Sequence, residues 1–396
     1  MKKLALVLTL LFSLWPGLAR AQDDPAAEYR ETFQRGIDAL TEGRHQEGID
    51  CFTRCLELSP ENSTCAYNIA CGHSLMDAKD LGFEWLGHAV DWGFAMTADN
   101  LELLRTKDAD LANLRNDPRF APLVDRARVM KEKIDTYVKE PFVHTPANTT
   151  ADQELGLLVV LHEAGTTKDA IANSPWTRVA DALGFVVVAP SATVPLGTTP
   201  ENGFTWFDDA EAYVARYWTY EKPITDAVAA ARKRFKIDRN RIFVAGEGMG
   251  GIVAASVGLG GPGLFKAFIA IEAPLFEPLV AERAKNAGSM GHVARFLWTR
   301  SASFLDDSGA TREQYEQHVS RLLTSWGVEH SIGLAPHYPR ILSRATGSEE
   351  TPSPAEMAQQ QIAMDDAYTQ MLQETLRSLL AEPEPATGEP AEAGTK

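Results

Sequence analysis

The stretch Ile237-Asp238-Arg239-Asn240-Arg241-Ile242-Phe243-Val244-Ala245-Gly246-Glu247-Gly248-Met249-Gly250-Gly251 carries the densest chemical signal in the chain. An apolar run enters a glycine turn and leaves as a helix. Backbone NH groups at such a helix start can hold an anion or a carbonyl oxygen, so the chemistry on offer is stabilisation of negative charge. Gly248, in the middle of the turn, has no lone pair to attack a carbonyl and no proton to give. Its neighbours do not replace it, because Glu247 is one residue off the tip and Ser256 lies deep in the following helix. Nor is this a phosphate loop: the Lys and Ser or Thr of a P-loop are missing, as is the later acid of a dinucleotide fingerprint.

An alternation of short apolar runs and helical stretches must position this turn. Leu157 to Leu161, Phe185 to Ala189, Ile242 to Ala245, Phe268 to Ile271, Phe296 to Trp298 and His330 to Leu334 are short enough for strands. Between or after them, Trp176 to Leu183, Ile224 to Phe235, Ile252 to Leu259, Arg312 to Trp326 and Pro354 to Leu380 have helical patterning. Such alternation predicts a mostly parallel sheet covered by helices on both faces.

With its Asp-Arg-x-Arg approach and flanking Gly246 and Gly250, the turn resembles the nucleophile elbow, Gly-x-Ser-x-Gly, of α/β-hydrolases, in particular carboxylesterases, feruloyl-esterase-like enzymes and related bacterial hydrolases. Gly248 stands where their serine would be. Glycine tolerates the turn's backbone angles better than serine, so the elbow can outlast the chemistry. The resemblance also implies an oxyanion hole made by NH groups of Met249 and of the Leu161-His162-Glu163-Ala164-Gly165 stretch. There Glu163 replaces the expected glycine, and a carboxylate beside an oxyanion hole repels developing negative charge. His162 is either a pocket residue or a loop or core histidine. The triad acid should follow the strand at Phe296 to Trp298, where Ser303 falls instead; Asp306, Asp307 and Glu272 are the open candidates. His337, in Leu334-Ala335-Pro336-His337-Tyr338-Pro339, fits the triad histidine in position and order, with His330 the weaker choice.

Together these departures imply a degenerate esterase-like domain that binds a small-molecule or protein ligand without serine hydrolysis. One alternative is an active ester or peptide hydrolase in which His337 and a carboxylate direct water at a carbonyl. Another is an interaction module acting through the N-terminal helices. The insertion Ser191 to Tyr220 carries Phe204, Trp206, Phe207, Tyr213, Tyr217, Trp218 and Tyr220, which either pack a lid onto the sheet or stack on a sugar or aryl ligand.

Residues 29 to 94 repeat with a 34-residue period: Phe33, Gly36, Gly48, Phe52, Cys55 and Leu58 recur as Tyr67, Ala70, Gly82, Leu86, Ala89 and Trp92. This resembles the tetratricopeptide family, departing from it at Thr32, Arg35 and Ala39. Two repeats cannot bury their faces alone, so Asn100 to Arg105 and Asp117 to Lys133 are expected to cap them. Cys51, Cys55, Cys65 and Cys71 lie close together here, and their spacing matches no common zinc site. Cys55 and Cys71 are placed to face each other across neighbouring helices, as a disulfide or as simple packing.

The 396 residues, 44% hydrophobic and 23% charged, are enough for two packed domains. A net charge of -16 excludes a large electrostatic footprint for nucleic acid. Lys2, Lys3, the apolar run from Leu4 to Leu18 and the small residues around Arg20 read as a signal peptide cleaved after Ala21, which implies export to a periplasm or extracellular space. The expected organisation is therefore a leader over 1–21, a tetratricopeptide-like helical domain over 22–140, an α/β-hydrolase-like domain over 141–380 and an acidic, Pro-rich tail over 381–396, with no cofactor, no metal and no membrane span.

Overall fold

The computed structural model describes residues 25–147, 149–150, 152–260, 263–284, 293–298, 311–335 and 354–381, and for 282 and 354–363 the backbone alone. The chain divides into two compact units. One comprises Met1–Glu140, Ala164–Thr167 and Ser191–Arg216; the other comprises Pro141–Glu163, Lys168–Pro190 and Tyr217–Lys396.

The first unit is mostly helical, with a short antiparallel pair between Val194–Pro195 and Phe204–Thr205. Helices α1 (Pro25–Thr41), α2 (His45–Leu58), α3 (Ser63–Leu75) and α4 (Lys79–Asp91) pack in sequence, followed by short turns and α5 (Phe120–Lys139). Small residues let the helices approach: a Cβ on Gly36 would meet the Phe52 ring at 2.9 Å, and one on Gly48 would meet Leu40 at 2.6 Å. Phe52 also packs edge-on against Phe33, with ring centroids 5.3 Å apart. The second half follows suit with Gly82 against Leu114. The predicted capping segments are present, although the first is broken into Ala98–Glu102 and a π-turn, Leu103–Lys107.

The second unit is built on a sheet. Its strands are β1 (Phe142–His144), β2 (Leu155–Leu161), β3 (Phe185–Ala189), β4 (Ile237–Glu247), β5 (Ala267–Ile271), β6 (Val293–Trp298) and β7 (Glu329–Leu334), in the order β1-β3-β2-β4-β5-β6-β7. Only β1 runs antiparallel to its neighbour, β3; every other pairing is parallel. Strands β2 and β3 are buried at every position, as a sheet covered on both faces requires. Helices α6 (Pro175–Leu183), α7 (Ala210–Arg234), α8 (Met249–Gly260), α9 (Glu277–Ala284), α10 (Arg312–Ser325) and α11 (Pro354–Ala381) complete the alternation. All six strands predicted from apolar runs are found. The sheet order, its antiparallel edge strand and the sharp turn from β4 into α8 are those of the α/β-hydrolase fold, preceded here by an all-α region.

The aromatic insertion, left open between packing a lid and stacking on a ligand, clusters over Ser191–Arg216 with the helical unit, where Phe204 stacks on Tyr137 of α5 at 5.5 Å between centroids. Trp206, Phe207 and Tyr213 are buried, so their rings are committed to packing. One expectation is corrected. Cys55 does not face Cys71: Cys71 packs against Asp108, and the thiol beside Cys55 is that of Cys65.

Candidate functional site

The turn between β4 and α8 holds its shape through glycine. A Cβ on Gly246 would collide with the Gly250 carbonyl, and one on Gly250 would collide with the Leu161 and His162 carbonyls at the end of β2. No larger residue fits either place. Gly248 lies at the tip with φ +54°, in the left-handed region, and donates its NH to the Ile271 carbonyl at 2.9 Å. Its own carbonyl accepts from Ile252 NH at 3.1 Å, which starts the ladder of α8. Met249 is the first residue of that helix and is half-buried.

Glu163 meets this tip from the end of β2. A Cβ on Gly248 would stand 2.5 Å from Glu163 Oε1 and 2.9 Å from its Cδ. A side chain at position 248 would therefore have to displace the Glu163 carboxylate, the far end of a flexible side chain. The tip of the turn therefore faces a carboxylate, which offers acceptors rather than donors.

His162 is 2% exposed, and its Nδ1 donates to the Glu163 carbonyl at 2.9 Å. Burial pulls its pKa down to about 4, with the nearby Lys168 charge adding to the effect. The ring is thus neutral near pH 7 and fixed in one tautomer. In this setting His162 orients the Glu163 segment.

Of the candidate acids, Glu272 directly follows β5 with φ +46°, half-buried, and donates its NH to the Leu297 carbonyl at 3.0 Å. A left-handed glutamate is strained, so the surrounding backbone must impose it. Asp306, Asp307, Ser303 and His337 lie outside the described residues. His330 sits in β7 and approaches the Val328 carbonyl through Nδ1 at 3.0 Å.

Ser256 is accounted for structurally. Its hydroxyl donates to Glu221 at 3.0 Å, and Arg283 grips the same carboxylate through two nitrogens at 2.6 and 2.8 Å. The Arg283 guanidinium also lies over the Tyr217 ring, 4.0 Å from its centroid. This network ties α7, α8 and α9 together behind the elbow. Sequence reasoning missed it, since buried charges at single positions leave no periodic trace.

In the helical unit, Cys71, Asp108 and Asp110 offer donor atoms within 4.8 Å of one another. Tyr67 donates to Asp108 at 2.8 Å and Cys71 to the same oxygen at 3.6 Å, while Asp108 caps the next turn through Asp110 NH. Burial and the two carboxylates raise the Cys71 thiol well above its ordinary value, so it donates as a thiol. That is a hydrogen-bonded cap with its acceptors in use.

No family model matches the chain. Among curated proteins, acetylxylan esterase A of Aspergillus oryzae is 24% identical over 131 residues, 33% of this chain and 40% of that protein. The probable acetylxylan esterase A of Aspergillus flavus matches with the same figures. The match thus spans less than half the length of these relatives. Similar solved structures include esterase PE8 (18% identity, 59% of this chain and 98% of that chain, TM-score 0.40) and a ferulic acid esterase (16% identity, 60% and 90%, TM-score 0.40). A carboxylesterase from Mesorhizobium loti gives 17% identity, 53% and 90%, and a TM-score of 0.36. The fold class rests on the sheet topology described above. Among the described residues, no helix is long and apolar enough to cross a membrane.

Proposed function

We propose that this chain is an exported, esterase-like protein whose elbow has lost serine chemistry and serves to bind a ligand, with a tetratricopeptide-like helical region ahead of it. One observation carries the reading: a serine side chain at Gly248 would have to displace the Glu163 carboxylate. Acyl transfer needs an oxygen nucleophile at the tip and donors aimed at the developing oxyanion. Here the tip has no side chain and its surroundings carry a negative charge. In this reading Glu163 and Met249 line the ligand site, His162 supports Glu163, and His337 is a remnant of the triad. The names of the curated relatives make acetylated carbohydrates the first ligands to test.

The same carboxylate favours a second reading, in which Glu163 or another acid works with His337 to direct water at a bound ester. The two are separated by a fluorophosphonate probe together with turnover assays. In the first reading the protein neither labels nor turns over esters. In the second it turns them over without labelling. Stoichiometric labelling of the elbow peptide overturns both.

A further inference from the structure

Cys55 lies in the last turn of α2 and Cys65 in the first turn of α3, on either side of the tight turn that joins these helices. Both are fully buried, and the two side chains are neighbours. Tyr29 of α1 holds the pair from outside: its hydroxyl is 3.5 Å from Cys65 Sγ, and its carbonyl accepts from Cys55 Sγ at 3.9 Å. Asn62 fixes the approach, accepting from Thr64 NH and Cys65 NH at 3.1 Å and donating to the Tyr29 hydroxyl at 3.1 Å. Cys51 is turned elsewhere, taking a bond from Arg35 Nε at 3.3 Å, and Cys71 bonds Asp108.

We infer that Cys55 and Cys65 are a built disulfide site that closes the α2–α3 hairpin when the chain meets an oxidising thiol–disulfide pool. Once the hairpin opens, the thiolate of one of the pair displaces one reduced glutathione from glutathione disulfide, giving a mixed disulfide. The other cysteine then loses its proton, attacks the protein sulfur of that mixed disulfide and releases the second glutathione. One S–S bond forms and one breaks, and the two electrons lost by the protein thiols reduce the glutathione disulfide. Because both sulfurs are buried, exchange requires the hairpin to open, and the closed product is shielded from reductant.

The test uses the full chain, reduced and then held in a glutathione redox buffer with urea low enough to permit only transient opening. Free thiols are alkylated, and cleavage after Arg54, Glu57, Glu61 and Tyr67 separates Cys51, Cys55, Cys65 and Cys71 onto different peptides. The expected result is loss of two of the four thiols, with the Cys55 and Cys65 peptides linked. Cys65→Ala should then keep all three remaining thiols. Four free thiols in the wild type, or a bond involving Cys51 or Cys71, overturns the inference.

Discussion

The carboxylate of Glu163 stands 2.5 Å from where a Cβ on Gly248 would lie. The two residues come from different crossings of the sheet, one after β2 and one after β4, and these strands are paired so that Leu161 sits opposite Gly246. A glycine at the elbow and a glutamate beside it are therefore one feature: each makes room for, or takes the room of, the other.

Restoring serine alone should fail. Gly248→Ser adds a side chain at φ +54° and drives it into Glu163, a combination expected to cost about 1–3 kcal/mol. Urea unfolding measures the loss, and adding Glu163→Ala should recover the part due to the clash while the strain at φ +54° remains. If the single variant is as stable as wild type, Glu163 does not occupy the space assigned to it.

The buried Glu221–Arg283 pair should be sensitive to removal of one partner. Glu221→Ala strands a guanidinium that is 13% exposed, and a loss of about 3–5 kcal/mol is expected. Changing both residues to Met should cost less than either single truncation, because no unpaired charge is left. A double-mutant cycle by denaturation checks the coupling.

His162 gives the fold a dependence on acid. Its pKa is about 4 when folded against 6.5 ordinarily, so between those values the unfolded chain takes up a proton that the folded chain refuses. This contribution is flat above pH 6.5 and grows as pH falls towards 4, at up to about 1.4 kcal/mol per pH unit. His162→Asn, which keeps a donor for the Glu163 carbonyl, should lose stability less steeply than wild type from pH 7 to pH 4. Parallel curves for the two proteins would remove His162 from the account.

The sheet was legible because its strands are uninterrupted apolar runs, such as Leu157 to Leu161 and Phe185 to Ala189, and because Gly246 and Gly250 mark the turn out of β4. Strand β1 escaped notice, since Phe142–His144 is too short to show a period. Helix α7 was read only from Ile224 because Arg216 breaks its dihedrals and Pro223 its pattern. The placement of Glu163 over Gly248 depends on how two distant loops meet, which composition and spacing do not encode. The Phe204–Tyr137 stack is of the same kind: it assigns the aromatic insertion to the helical unit through a contact between distant segments. Cys65, rather than Cys71, faces Cys55 because the α2–α3 turn sets the helix register.

Hydrolysis of a short-chain nitrophenyl ester by the purified protein, compared with His337→Ala prepared in parallel, tests the central claim most directly. A filled elbow without serine predicts coincident progress curves at the uncatalysed rate. Turnover by the wild type that disappears in the His337→Ala protein would contradict it and make the domain an enzyme.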